Sequence, residues 1–139
     1  MTSSGNNSLQ KTHLLASKEF IGEVKSIETG KYAEVSLRTN DKMKVDDMGL
    51  IHGGFTFGLA DYAAMVVVND PFVVLVSSNV KFLRPVVVGN KLIAKAEVVE
   101  TEGRKKKVLC DVFNQDEEKV FEGHFLCISL EKHILEMKK

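Results

Sequence analysis

The run from His52 to Val68, HGGFTFGLADYAAMVVV, constrains this chain more than any other stretch. Two glycines open a series of helix-forming and apolar residues whose one formal charge is Asp61. Asn69-Asp70-Pro71 then stops it, because proline disfavours a helical residue before it and cannot continue the ladder. A helix with so little polar surface has no stable place at the outside of a protein, so the remaining chain must wrap it. Asp61 is the residue that needs a reason. Asp caps helices well, so it could open a second helical segment at Tyr62 after a break near Gly58; a functional carboxylate is the alternative, and residue type alone leaves both open.

The flanking sequence supplies strands. YAEVSLR alternates, with Ala33, Val35 and Leu37 on one face, the pattern of a half-buried strand. A strand is expected before it over Ile21 to Glu28, ended by Thr29-Gly30. After the helix, one long strand from Phe72 to Phe82 bends near Ser77-Ser78. Lys91 to Glu100, Val108 to Phe113 and Val120 to Leu130 follow, with turns at Gly89-Asn90, Thr101 to Arg104 and Asn114 to Glu118. Leu9 to Phe20 reads as a short amphipathic helix behind a polar start, and Glu131 to Lys139 as a polar tail. The division is residues 1–18 as a polar N-terminal tail or short helix and 19–139 as one domain. Strand, strand, helix and then four strands joined by hairpin turns gives an α+β domain: a curved antiparallel sheet wrapped around one long central helix.

At 139 residues the chain has room for one core. Nineteen basic residues balance nineteen acidic ones, so no global field draws it to nucleic acid or to a membrane surface, and any charged ligand must be caught locally. No apolar run approaches the roughly 20 residues of a membrane span. The polar N-terminus shows no leader sequence, and a cytoplasmic protein is expected. Cys110 and Cys127 lack zinc spacing and read as buried, reduced thiols; His13, His52, His124 and His133 are too scattered for a metal site.

His52-Gly53-Gly54 with Asp61 seven residues on, followed by Phe82-Leu83-Arg84-Pro85 and the Gly89 turn, resembles the hotdog-fold acyl-CoA thioesterases, in particular the phenylacetate-pathway branch. The resemblance runs over roughly residues 20 to 130. It implies a hotdog fold, a homodimer or dimer of dimers, and acyl-CoA sites in the subunit interface. Coenzyme A enters as part of the ligand, and no separate cofactor or metal is implied.

The chemistry that goes with this is physical. The start of a helix offers unpaired N–H groups and partial positive charge, so amides near Gly53 and Gly54 can polarise a thioester carbonyl. Asp61 lies eight residues past Gly53, about 12 Å along a helix and roughly 80° around it. One thioester cannot reach both within a chain, so an Asp61 acting on the same carbon must come from the partner's helix. There it would serve as nucleophile or as the base that orients water. His52 is given an orienting role.

Two positions depart from the resemblance. Many members carry an asparagine six residues before the histidine, and here that residue is Asp46, whose ionised carboxylate cannot donate to a carbonyl. Some carry a hydroxyl ten residues before the proline, where this chain has Leu75. The run Arg104-Lys105-Lys106-Lys107 reads as a solvated hairpin turn or, with Arg84, as a contact for the phosphates of coenzyme A. Candidate ligand contacts are therefore His52, Asp46, Asn79, Arg84, Arg104, Lys105 and Lys106. Hydrolysis of an acyl-CoA leads; the alternative is a non-catalytic acyl-CoA sensor, in which Asp46 and Leu75 are natural, and without a preceding helix-turn-helix direct DNA binding is not expected. A hotdog hydratase using Asp47 and His52 would leave Asp61 idle.

Overall fold

A computed structural model describes residues 7–137. In chain order the elements are α1 (Lys18–Ile21), β1 (Glu23–Glu28), β2 (Tyr32–Arg38), α2 (Gly53–Val68), β3 (Val73–Phe82), β4 (Lys91–Glu102), β5 (Lys105–Phe113) and β6 (Lys119–Ser129), with 3-10 turns at Asp41–Met43 and Ile134–Glu136. The six strands form one antiparallel sheet in the order β1-β2-β4-β5-β6-β3. It curls around α2, giving the expected hotdog arrangement.

α2 runs without interruption through Asp61, so the aspartate does not cap a second segment. Its last turn contains three consecutive valines, weak helix formers that cost only tenths of a kcal/mol each. Burial outweighs that cost, since a fully buried valine contributes ~1.5 kcal/mol or more and Val66, Val67 and Val68 are all buried. The sheet opposite carries small residues: Ala33 on β2 and Ala94 and Ala96 on β4 are fully buried and let the helix approach closely. Asn69 ends α2 in the left-handed conformation (φ 55°), its N–H returning to the Met65 carbonyl at 2.9 Å.

Three expectations need correction. The short helix over Leu9 to Phe20 shrinks to one turn, Lys18–Ile21. The residues before it are held as a strap by the Asn69 side chain, which accepts from the Lys11 N–H at 2.7 Å and donates to the Leu9 carbonyl at 2.8 Å and to Thr29 Oγ1 at 2.9 Å. Next, β3 does not hairpin with β4; it crosses to the far edge and pairs with β6. Finally, Lys105, Lys106 and Lys107 belong to β5, and only Gly103-Arg104 turns. The long side chains read as loop, yet they sit in regular register opposite Ile128, Cys127 and Leu126.

Candidate functional site

The start of α2 is built by His52, Gly53 and Gly54. His52 is the N-cap, its Nδ1 accepting the Gly54 N–H at 2.8 Å, which requires the ring hydrogen on Nε2. The Phe55 N–H donates to the His52 carbonyl at 3.1 Å. Of the two glycine amides proposed to meet a thioester, Gly54's is thus already occupied, whereas Gly53's has no protein acceptor among the described residues. A Cβ on Gly53 would stand 3.1 Å from the Phe82 ring, so glycine is what lets that half-exposed aromatic lie beside the amide.

α2 then climbs along β6. Gly53 lies by Phe82, which pairs with Phe121; the Phe57 ring meets Phe125 at 5.8 Å; Asp61 faces Cys127. Four helix residues advance about 6 Å and two strand residues about 6.7 Å, so the two elements stay in step. Gly54, Phe57, Gly58 and Asp61 keep this flank partly open, in contrast to the buried second half of the helix from Tyr62 to Val68. Asp61 Oδ1 is buried and has no hydrogen-bond partner among the described residues. Burial pushes its carboxyl above the usual carboxylate value. Burial, and secondarily the Asp61 charge, push the Cys127 thiol up to about 12, with Lys106 opposing. Cys127 is therefore a protonated wall of the site, not a nucleophile.

The other candidates divide. Asp46 is exposed and braces the turn before α2, its Oδ1 accepting the N–H groups of Met48 at 3.0 Å and Leu50 at 3.2 Å. Leu75 pairs with Cys127 on the inner face, so the wall beside Asp61 is apolar where a hydroxyl would stand. Asn79 pairs with exposed His124 on the outer face, away from α2. Arg84 stands at the helix-start end of β6, its N–H bonded to the Val120 carbonyl. Arg104 stands at the other end, donating to the Ser129 carbonyl at 3.2 Å and pairing with Glu131 at 3.0 Å. Nine residues of β6 separate these attachments, roughly 30 Å of strand, so one protomer cannot close Arg84 and Arg104 on the same phosphate. Lys105 is exposed, and Lys106 is half-buried on the inner face opposite Cys127.

Sequence reasoning missed two features. A cleft of about 310 Å³ adjoins the helix start, lined by Leu50, Gly53, Thr56, Phe82, Arg84 and Val120 among others; the FLRP motif and the Gly53-to-Thr56 step along the helix marked its walls. Ser78 shares a cross-strand pair with buried Phe125 and so faces α2. A bulge between Leu75 and Ser77 shifts the alternation there, and simple counting does not reveal it.

One long helix in a curled antiparallel sheet is the architecture of the hotdog class, and here that helix carries a glycine amide and a desolvated carboxylate a fixed distance apart. Residues 48–121 match the thioesterase superfamily model, and the chain belongs to that superfamily. It is 52% identical over 120 residues to part of a methylthioribose-1-phosphate isomerase from Aquifex aeolicus (86% of this chain, 26% of that one). It is 28% identical over 129 residues to the transcription factor FapR of Thermoanaerobacter sp. (strain X514), covering 93% of this chain and 64% of that one. The chain thus spans less than two thirds of either relative. Among solved structures, it superposes on the uncharacterized protein PH1136 from Pyrococcus horikoshii with a TM-score of 0.91 and 54% identity, over 94% and 98% of the two chains. On smu.793 from Streptococcus mutans, bound to acetyl CoA, the TM-score is 0.74 with 25% identity, over 88% and 99%.

Proposed function

We propose that the protein is a homodimeric acyl-CoA thioesterase in which Gly53 of one subunit and Asp61 of the other act on one thioester. The observation that carries this reading is Asp61: a carboxylate with a buried oxygen that has no partner among the described residues, on a partly open flank of a largely buried helix. Leaving such a group unmatched costs stability, which a purely structural residue has no reason to incur.

The sheet edges support a dimer of a particular kind. Near β1 the edge is covered: Ser8 donates to the Ile27 carbonyl at 2.6 Å, Asn7 Oδ1 accepts the Ile27 N–H at 2.8 Å, and Glu23 and Lys25 put charges on the rest. β3 is the other edge, and from Val73 to Val80 it carries no charge while Val76 to Asn79 are exposed. Uncharged open edges pair with other strands. A second copy added there in antiparallel fashion would lay its α2 along the open flank, bringing a partner Asp61 toward Gly53. The Gly53 amide would then polarise the carbonyl, and Asp61, kept protonatable by burial, would take the proton of the attacking water or attack the carbonyl carbon itself. The acetyl CoA bound to smu.793 supports acyl-CoA as the ligand class.

The test is a panel of acyl-CoA thioesters with a thiol reporter. Wild type is expected to release coenzyme A and Asp61→Asn to lose at least about a hundredfold, the scale of removing a group that acts on the transition state. Equal turnover by Asp61→Asn would overturn the assignment. A second reading, acyl-CoA sensing without turnover, is favoured by the apolar Leu75 beside Asp61 and by the likeness to FapR; saturable binding with no coenzyme A release would select it.

A further inference from the structure

We propose that Glu118 sets the charge preference of the cleft at the start of α2: by holding Arg84, it makes that cleft a seat for an uncharged acyl group and disfavours one ending in a carboxylate. This rests on the acyl-thioester reading above and adds a residue that no comparison assigns.

The cleft wall is apolar apart from its backbone, Thr56 and a single charged side chain, Arg84. A free guanidinium at the mouth of an apolar cleft would select carboxylates through paired N–H donors. Here Arg84 Nη1 lies 3.6 Å from Glu118 Oε2. Glu118 does not arrive by chance, because the β5–β6 turn fixes it. Asn114 Nδ2 donates to Glu118 Oε1 at 2.9 Å, while Asn114 Oδ1 accepts the N–H groups of Asp116 at 2.9 Å and Glu118 at 3.0 Å. The carboxylate is thus presented to Arg84 by a turn already bonded to itself. With Glu118 against it, the guanidinium offers no net positive charge to an incoming anion, and the apolar walls favour a neutral chain over one whose terminal carboxylate must be desolvated.

The experiment compares hexanoyl-pantetheine with adipoyl-pantetheine, two thioesters of equal length that differ by a terminal carboxylate and carry no nucleotide phosphates. The readout is the ratio of their kcat/KM values, or of their Kd values if turnover is absent. Wild type is expected to favour the hexanoyl thioester. Glu118→Gln should raise the adipoyl-to-hexanoyl ratio about fivefold, the scale of a partly exposed ion pair, and the gain should shrink in high salt. Glu118→Gln combined with Arg84→Gln should cancel it. An unchanged ratio in Glu118→Gln with wild type active on the hexanoyl thioester overturns this inference alone; equal gains on both thioesters also overturn it. Wild type that neither binds nor cleaves either thioester overturns the acyl-thioester reading with it.

Discussion

Mixing two inactive variants should restore activity if the site is shared between subunits. Asp61→Asn removes the carboxylate, and Gly53→Val puts a branched side chain into the space now filled by the Phe82 ring, 3.1 Å from where even a Cβ would stand. Each homodimer has two defective sites. The positions lie about 12 Å apart on one helix, too far for one thioester to reach both within a chain, so in the proposed dimer each site would draw one residue from each subunit. In a mixed dimer, one site then carries both substitutions and the other carries neither. Random pairing at equal expression makes half of the dimers mixed, each with one intact site of two, so about a quarter of wild-type specific activity is expected. The assay is coenzyme A release by protein co-expressed with two different affinity tags and purified on both, where every dimer is mixed and about half of wild-type activity is expected. Gel filtration checks that Gly53→Val still dimerises. Tandem-purified mixed dimers no more active than the parents would refute the shared site and return Asp61 and Gly53 to separate roles.

Three further outcomes follow from local structure. Asn69→Ala loses three buried side-chain bonds and forces alanine into a left-handed backbone, so a loss of roughly 2–4 kcal/mol is expected by chemical denaturation. Asn69→Gly should recover about 1 kcal/mol of it by relieving the backbone alone. Asp46→Asn retains an oxygen for the Met48 and Leu50 N–H groups while adding an amide donor; melting should move little, and thioester turnover should rise if the carboxylate is what limits it. Asp61→Asn should melt higher than wild type at neutral pH. The folded-state carboxyl is raised above its ordinary 3.8, so its protonated form is favoured by folding. That benefit is complete below 3.8 and is lost as pH climbs through the raised value. The difference in Tm between variant and wild type should therefore shrink toward acid, and a constant difference would contradict the burial of Asp61.

Much of the fold was legible because its signals are local. The alternation of YAEVSLR, the Asn-Asp-Pro stop and the glycine-opened apolar run each dictate one element without help from distant residues. The unpaired charge on the buried helix marked Asp61, and residue spacing alone gave its separation from Gly53. What stayed hidden depends on tertiary partners. Lys105 to Lys107 look like loop until a neighbouring strand supplies Cys127 and its flanks. Residues 9–12 read as the start of a short helix, and it is Asn69, more than fifty positions away, that holds them extended by bonding Leu9 and Lys11. The parity shift that turns Ser78 inward comes from one extra residue in β3, and the pairing of Arg84 with Glu118 joins two motifs that nothing in their own segments connects.

The covered edge near β1 bears on how many molecules can assemble. In the proposed dimer the two-fold contact uses up the open β3 edge on both copies, so growth by strand addition would stop at a closed pair. Were the strap carrying Asn7 and Ser8 released from Ile27, each protomer would offer two unlike edges, and head-to-tail addition would have no end. The hydrogen bonds that Asn69 makes to that strap therefore act against fibre formation as well as for folding, and a destabilised Asn69 variant should reveal itself first by aggregation through β-sheet extension.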